Sequence, residues 1–405
     1  MSVIDLTDVM AAADRIAEVV RHTPLEYSHS FSEMTGAEVK LKLENKQRTG
    51  AFKIRGATNR IATLSAAEQE AGVVTASAGN HAQGVALAAT RIGADSVIVM
   101  PEHAPISKIK ATRNYGADVV LHGDDYNEAA ERAHEIERED GRTYLHAFND
   151  EAVMAGQGTI GLEIIDDAPD VDTVVVPIGG GGLISGIATA VKGRKPDTRV
   201  IGVQPEGADS AARSVERGEI TSVDTLETIA DGLATHRIGE KPFQVIQDRV
   251  DEVVTVSDSE IAVAVTHALE RSKTLLEGAG AVSLAAVLGE AFEYESDEVI
   301  VPALCGGNID MNMLTTVIMR GLVETGRYLK FRTVLKDRPG ALQDLTRLLS
   351  AHQANIYAIK HDRTSRDIAM NDAEVEIELE THDEAHADEL LGVLRENDYE
   401  VDVLM

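Results

Sequence analysis

The chain of 405 residues contains one cysteine, Cys305, and no tryptophan. A single thiol excludes an internal disulfide and any zinc site built from several cysteines. No apolar run reaches the roughly 18 residues that a membrane-spanning helix needs. The first five residues lack the basic and then apolar pattern of a secretory signal. We therefore expect a cytoplasmic protein.

Basic residues are scarce, because 38 lysines and arginines stand against 68 acidic residues and give a formal net charge of −30. Only 13 of the 38 basic residues are lysines. This charge repels nucleic acids and anionic membranes, so we expect neither as a partner. An acidic, lysine-poor surface is similar to that of halophilic proteins, in which high ionic strength screens the repulsion. An acidic mesophilic enzyme is the alternative.

Short apolar runs alternate with amphipathic stretches from residue 73 onward. This alternation predicts an α/β fold with parallel sheets and helices on both faces. The predicted strands are residues 72–76, 96–100, 118–122, 173–178, 200–204, 252–256 and 298–304. The predicted helices are residues 84–92, 127–138, 184–192, 259–272 and 279–289. Ligands of such sheets bind beyond the carboxyl ends of the strands.

The pattern changes after Arg327. The remaining residues predict the order strand, helix, strand, strand, helix, strand, which is that of a small ferredoxin-like βαββαβ domain. These elements are predicted at residues 329–335, 340–352, 356–362, 373–379, 383–396 and 399–404. We therefore predict a domain boundary between residues 327 and 328.

Lys53 lies between an aromatic residue, Phe52, and several small residues. Apolar neighbours desolvate an ammonium group and lower its pKa, so that the neutral amine can attack a carbonyl group. Phe52 could cover a flat cofactor ring, while the nearby glycines and alanines leave room for it. An ordinary surface lysine is the alternative.

Four consecutive glycines at residues 179–182 follow a predicted strand and precede a predicted helix. The backbone N–H groups of such a loop, together with the helix N-terminus, can bind a phosphate group. The loop is not a Walker loop, since no Gly-Lys-Ser/Thr follows, and it lacks the dinucleotide-binding spacing. A flexible turn is the alternative.

Two further loops follow predicted strands. Ser77 and the backbone amides of Gly79, Asn80 and His81 could bind a carboxylate at the start of a helix. The side chain of Asn80 could also donate to an oxygen on a ring, whereas an isolated His81 is more often a capping or core residue. Cys305 ends the last strand and could contact a ligand, although a lone buried cysteine is usually inert.

In their order along the chain, these segments resemble those of pyridoxal-phosphate enzymes of the tryptophan-synthase β fold, and within that fold the threonine/serine ammonia-lyases. The C-terminal residues resemble an ACT domain, as in the medium-length threonine ammonia-lyases. The resemblance rests on residues 42–45, 49–57, 77–83, 179–183, 228–232, 277–281, 305–308, 337–342 and 355–356.

The resemblance implies a catalytic region at residues 1–327 and an ACT-like domain at residues 328–405. Within the catalytic region, a smaller subdomain of about residues 47–150 would be inserted in a larger one. This is the two-subdomain architecture of pyridoxal-phosphate fold type II.

The resemblance also implies a role for each loop. Lys53 would hold the cofactor covalently and remove the α-proton of the substrate, and Phe52 would pack on the cofactor ring. Asn80 would hydrogen-bond the ring hydroxyl, and Cys305 would face the pyridine nitrogen. Ser77 and the amides of Gly79, Asn80 and His81 would hold the substrate carboxylate. The cofactor phosphate would be bound by Gly179, Gly180, Gly181, Gly182 and Leu183.

The implied reaction is the conversion of L-threonine to 2-oxobutanoate and ammonia, with L-serine as a second substrate. Ala78 stands where related serine racemases carry a second base, so racemisation is disfavoured. A synthase that catalyses β- or γ-replacement is the other alternative. Gln204 and Ser210 stand where metal-dependent relatives carry carboxylate ligands, so we expect no metal.

The ACT resemblance implies an amino-acid effector such as isoleucine or valine. Asp337 would bind its ammonium group, and Asn355 would bind its carboxylate or amide. The alternative is that this domain only forms subunit contacts. The family also implies a homo-oligomer, a tetramer.

Overall fold

The computed structural model describes residues 3–364 and 369–405. The chain divides into two compact units, one ending at Asp310 and the other beginning at Met311. The helix Met311–Glu324 therefore groups with the second unit, although it precedes the boundary predicted between residues 327 and 328. That functional boundary stays a prediction.

The strands of the first unit form a six-stranded and a four-stranded sheet. Their bounds are β1 Leu25–Tyr27, β2 Glu38–Lys42, β3 Val73–Ala76, β4 Ser96–Met100, β5 Asp118–Leu121, β6 Thr143–Tyr144, β7 Thr173–Pro177, β8 Arg199–Pro205, β9 Glu252–Val256 and β10 Val299–Pro302.

Helices cover these sheets. Their bounds are α1 Leu6–Ile16, α2 His29–Thr35, α3 Ile54–Ala62, α4 Ala66–Ala71, α5 Asn80–Ile92, α6 Ile106–Asn114, α7 Tyr126–Asp140, α8 Glu151–Asp167, α9 Gly182–Arg194, α10 Ser210–Arg217, α11 Glu240–Arg249, α12 Asp258–Arg271 and α13 Gly278–Leu288.

The predicted α/β fold with parallel sheets is confirmed. The large sheet has the order β1-β2-β10-β7-β8-β9, and all of its neighbouring strands are parallel except β1 and β2. The small sheet has the order β5-β4-β3-β6 and is parallel throughout. The valines of β7 are buried along the whole strand, as expected when helices cover both faces of a sheet.

Two helices beside the large sheet approach each other closely through glycines. A Cβ atom at Gly158 in α8 would lie 2.7 Å from the carbonyl oxygen of Gly186 in α9. Glycine lowers helix propensity, which is why the sequence pattern did not predict α8. Packing against α9 stabilises α8 in spite of its glycines, since α8 is buried along most of its length.

The second unit contains α14 Met311–Glu324, β11 Tyr328–Lys336, α15 Ala341–Ala351, β12 Asn355–Asp362, β13 Asp372–Glu380, α16 Glu384–Glu396 and β14 Asp402–Val403. Its antiparallel sheet has the order β12-β13-β11-β14. The predicted ferredoxin-like βαββαβ fold is confirmed, although β14 is only two residues long. Leu345, Leu349 and Leu390 join the apolar side of this sheet to α15 and α16.

No helix among the described residues is long and apolar enough to cross a membrane.

Candidate active site

A cavity of about 570 Å³ lies in the first unit, where loops follow β3, β7 and β10. The structure brings all the predicted cofactor and substrate residues to its wall. These are Phe52, Lys53, Ser77, Gly79, Asn80, His81, Gly179, Gly180, Gly181, Gly182, Leu183 and Cys305. Their individual roles stay predictions.

Lys53 presents its amine to this cavity directly before α3. Its Nζ atom donates a hydrogen bond to the carbonyl oxygen of Ala147 at 3.3 Å and lies 5.2 Å from the centre of the Phe52 ring. Burial lowers the pKa of Lys53 to about 8, although the nearby Glu277 carboxylate acts in the opposite direction. With this pKa, roughly a tenth of the amine is neutral at pH 7 and about half is neutral at pH 8.

The glycine loop leaves no room for side chains. Gly181 has a φ of 91°, in the left-handed region that favours glycine. A Cβ atom at Gly180 would overlap the ring of Phe148, and one at Gly182 would lie 2.8 Å from the Phe148 carbonyl oxygen. Because α9 begins at Gly182, its free backbone N–H groups are available to an anion in the cavity.

The loop after β3 shapes the start of α5. Ser77 Oγ accepts hydrogen bonds from the backbone N–H groups of Gly79 at 3.2 Å and Ala82 at 3.3 Å. The hydroxyl hydrogen of Ser77 is left for another acceptor. Burial and the charge of Lys53 lower the pKa of His81 to about 3, so its ring stays neutral beside Leu145.

Cys305 keeps its proton. Its Sγ atom donates to the carbonyl oxygen of Ala303 at 3.2 Å, and burial raises the pKa of the thiol well above its usual range. The cavity therefore has a neutral sulfur at this point, rather than the carboxylate that would favour a protonated ring nitrogen.

A turn that the sequence analysis missed joins Lys53 to the glycine loop. His146 Nδ1 accepts hydrogen bonds from the backbone N–H groups of Phe148 at 3.2 Å and Asn149 at 2.9 Å. Burial lowers the pKa of His146 to about 4, so the ring remains an acceptor. The turn holds both the Ala147 carbonyl that receives Lys53 and the Phe148 ring beneath the glycines. It contains no glycine or proline, and so carries no turn signal of that kind.

Comparison with known proteins identifies the family. Residues 16–306 match the family model described as pyridoxal-phosphate dependent enzyme. The chain belongs to this family. The L-threonine ammonia-lyase of Thermotoga maritima is 47% identical to this enzyme over 401 residues, which are 99% of this chain and 100% of the relative.

Two solved structures are similar to the enzyme. Threonine deaminase isoform 2 of Solanum lycopersicum, in its processed form, matches with a TM-score of 0.75 and 40% identity over 78% of this chain and 92% of its own. Maize serine racemase matches with a TM-score of 0.75 and 36% identity over 79% of this chain and 98% of its own. The fold of the first unit is thereby confirmed as pyridoxal-phosphate fold type II.

The cofactor of this pyridoxal-phosphate dependent enzyme is pyridoxal phosphate, and the cavity fits it. Lys53 provides an amine of lowered pKa for its aldehyde group. The glycine loop and the start of α9 provide backbone N–H groups for its phosphate, and the glycines have no side chains that would block access to them. Cys305 provides a neutral partner for the ring nitrogen.

The close approach of Gly180 to Phe148 makes a specific prediction. The Gly180→Ala variant is expected to weaken cofactor binding about tenfold or more, because the added methyl group overlaps the Phe148 ring and would displace the glycine loop whose backbone N–H groups are proposed to bind the phosphate. Titration of the apoenzyme with pyridoxal phosphate, followed by visible absorbance, measures this change. Gly392→Ala in α16 is the control, because a Cβ atom there meets nothing within 4 Å. Unchanged affinity in Gly180→Ala would contradict the proposal that the glycine loop binds the cofactor phosphate.

A buried ion cluster of Lys42, Glu44, Arg55 and Glu163 lies behind Lys53, and the sequence analysis did not predict it. The Arg55 guanidinium contacts Glu44 at 2.7 Å and Glu163 at 2.6 Å. Lys42 Nζ lies 2.7 Å from Glu163. Two cations thus balance two carboxylates, and the cluster joins α3 to β2 and α8.

The two positions at which metal-dependent relatives carry carboxylate ligands have structural uses in this chain. Gln204 Oε1 accepts hydrogen bonds from the backbone N–H groups of Ala211 at 2.8 Å and Ala212 at 3.0 Å, at the start of α10. Ser210 Oγ donates to the carbonyl oxygen of Thr235 at 3.4 Å. Neither position carries a carboxylate that a hard cation would prefer.

The two predicted effector residues are far apart within one chain. Asp337 follows β11 and contacts Arg363 at 3.0 Å, whereas Asn355 begins β12 and donates to Glu380 at 2.6 Å. The strand register places them at opposite ends of β13, roughly 26 Å apart at 3.3 Å per residue. One amino acid can contact both only across two copies of the domain.

Proposed function

We propose that this enzyme converts L-threonine to 2-oxobutanoate and ammonia, and L-serine to pyruvate and ammonia. The observation that carries the proposal is the Lys53 amine of lowered pKa, in one cavity with the glycine loop. The similarity to an L-threonine ammonia-lyase along the whole chain supports the choice of substrate.

Different residues of the cavity wall would bind different parts of the cofactor. The backbone N–H groups of residues 179–183 would bind the cofactor phosphate, and Phe52 would pack on the cofactor ring. Asn80 would hydrogen-bond the ring hydroxyl, and Cys305 would face the ring nitrogen without ionising. When bound, the cofactor withdraws electrons from the α-carbon of the amino acid and so acidifies its α-proton.

The substrate is oriented by the start of α5. The Ser77 hydroxyl has a free hydrogen, and the backbone N–H groups of Gly79, Asn80 and His81 lie at the helix N-terminus, so both can bind the substrate carboxylate. His81 stays neutral and adds no competing charge.

Lys53 is the general base of the reaction. Its Nζ atom lies in the cavity, and burial lowers its pKa to about 8, so that the free amine would accept the α-proton of a bound substrate. The Ala147 carbonyl oxygen provides a hydrogen-bond acceptor for the displaced amine. Loss of the β-hydroxyl group and hydrolysis of the released enamine then yield the 2-oxo acid and ammonia.

The direct test of this function uses the holoenzyme with L-threonine alone. We expect 2-oxobutanoate and ammonia in equal amounts, and L-serine to be converted less efficiently. A replacement synthase would form a 2-oxo acid poorly and would need a second nucleophile. Absence of any 2-oxo acid from threonine would refute the proposed function.

Racemisation is the second candidate because a serine racemase has a similar structure. The methyl group of Ala78 cannot deliver a proton, and Ala78 packs beside the core of the small sheet. We therefore expect D-serine to form from L-serine at less than about a tenth of the elimination rate, since one missing general acid costs a hundredfold or more. Chiral chromatography measures the ratio.

The matched variant for this prediction is Ala78→Ser, which introduces a hydroxyl at the position in question. We expect it to raise the ratio of racemisation to elimination. Rapid racemisation by the unaltered enzyme would contradict the assignment of Lys53 as the only base.

Regulation is proposed for the second unit, which is compatible with an ACT-like domain. An amino acid such as isoleucine or valine would bind between Asp337 of one copy and Asn355 of another, within a tetramer. Such an effector regulates only if it binds two enzyme states with different affinity.

The net charge of −30 supports a halophilic enzyme of the cytoplasm, with activity that rises with potassium chloride concentration.

A further inference from the structure

Asn80 belongs to a chain of hydrogen bonds that crosses the wall of the cavity. Asn308 Nδ2 donates to the carbonyl oxygen of Thr49 at 2.7 Å and to Asn80 Oδ1 at 2.8 Å. Asn80 Nδ2 in turn donates to Glu277 Oε1 at 2.6 Å. Asn80 and Glu277 both line the cavity with Lys53.

The two ends of this chain determine which way both amides face. The Thr49 carbonyl oxygen can only accept a hydrogen bond, and so can an ionised Glu277 carboxylate. Asn308 must therefore direct its NH₂ group to Thr49, and Asn80 must direct its NH₂ group to Glu277. Both Nδ2 hydrogens of Asn308 are used, whereas Asn80 keeps one for a ligand in the cavity.

Glu277 is held against Asn80 by its surroundings. Burial raises the pKa of the Glu277 carboxyl group, and the hydrogen bond from Asn80 counteracts the rise by favouring the ionised form. A Cβ atom at Gly306 would overlap Glu277 Oε1 and would lie 3.3 Å from Asn80 Nδ2. The glycine after Cys305 therefore leaves the space in which this contact forms.

We propose that Glu277 is a positioning residue for the cofactor, since it fixes the Asn80 amide with one Nδ2 hydrogen directed to the cofactor ring hydroxyl. The inference rests on the proposed contact between Asn80 and that hydroxyl. Glu277 acts through Asn80, and no step of the reaction requires it to exchange a proton.

The test is a double-mutant cycle on cofactor affinity, measured by titrating the apoenzyme with pyridoxal phosphate and following its visible absorbance. Glu277→Ala should weaken binding about tenfold or more, because a hydrogen bond to a charged group is lost. Glu277→Gln, which retains an acceptor of the same length, should weaken it less than about threefold. In an Asn80→Ala background, Glu277→Ala should add less than about a twofold change.

The control is Glu26→Ala, which removes a half-exposed surface carboxylate that is paired with Lys46 and does not line the cavity. It should leave cofactor affinity and the visible band unchanged, whereas Glu277→Ala should shift the band because the ring oxygen loses its donor. Gly306→Ala displaces the Glu277 carboxylate from the opposite side and should reproduce the loss. If Glu277→Ala does not fold, Gly306→Ala can be compared with the control in its place.

Two results with Glu277→Ala would overturn the proposal, and one with Asn80→Ala would do so as well. One is a Glu277→Ala effect of equal size with and without Asn80, and the other is no effect of Glu277→Ala on affinity or spectrum. If Asn80→Ala itself leaves affinity unchanged, the assumed contact with the ring hydroxyl is wrong and the inference fails with it. Since no substrate is present, each result is independent of the threonine assay.

Discussion

The Lys53→Ala variant is expected to lose at least about a thousandfold in kcat/KM for threonine, since in the proposed function a single group provides both covalent attachment and general base catalysis. It should also lose the visible absorbance that arises from the link between lysine and cofactor. The cavity and its glycine loop remain, so the variant should still bind pyridoxal phosphate non-covalently. Stopped assays for 2-oxobutanoate and absorbance spectra of the purified protein measure both effects.

Lys53→Arg is the matched control for this variant. It keeps a cation beside Phe52 and Ala147 but has no neutral amine at accessible pH. We expect it to be as inactive as Lys53→Ala while folding as stably as the unaltered chain. Activity retained in either variant would show that another residue attaches the cofactor.

Glu44→Ala is expected to lower the free energy of unfolding by about 3 to 5 kcal/mol, because it leaves a buried guanidinium only partly paired. The side chains of Glu44 and Arg55 are both fully buried, and Arg55 donates to Glu44 through Nε and Nη2. Denaturant unfolding of the apoprotein measures the change. Since α3 begins directly after Lys53, cofactor affinity should fall as well.

The surface pair of Glu26 and Lys46 provides the matched control. Its ions lie 2.9 Å apart, but both side chains are about half exposed. Glu26→Ala should therefore change the free energy of unfolding by less than about 1 kcal/mol. Equal effects of Glu26→Ala and Glu44→Ala would show that burial does not distinguish the cluster from a surface ion pair.

The sequence correctly predicted several elements whose signal lies within one short segment. Strands β4 and β9 begin and end where the alternation of apolar runs predicts, and the glycine loop lies between β7 and α9. Because the carboxyl ends of parallel strands share one edge of a sheet, the loops with polar and glycine residues could be expected to meet. The cavity residues confirm that they do.

Features that depend on contacts between distant residues could not be predicted in this way. The cluster around Arg55 joins residues separated by more than a hundred positions, and charged residues alone do not indicate burial. The His146 turn contains no glycine or proline. Residue 277 was noted only as the start of the segment 277–281, and the bond of Glu277 to Asn80, which spans 197 positions, could not be predicted.

The predicted effector residues are a further feature that depends on distant contacts. Asp337 and Asn355 both belong to motifs of the second unit, yet the register of β11, β12 and β13 places them at opposite ends of the sheet. Strand order and register are properties of the folded domain, and the spacing of residues along the chain does not determine them.

The most direct test of the account is the position of the cofactor on the chain. Borohydride reduction of the holoenzyme converts the bond between cofactor and lysine to a stable amine, which peptide mass spectrometry then locates. We predict the added mass on Lys53 alone among the 13 lysines. Added mass on a different lysine, or on none, would contradict the account.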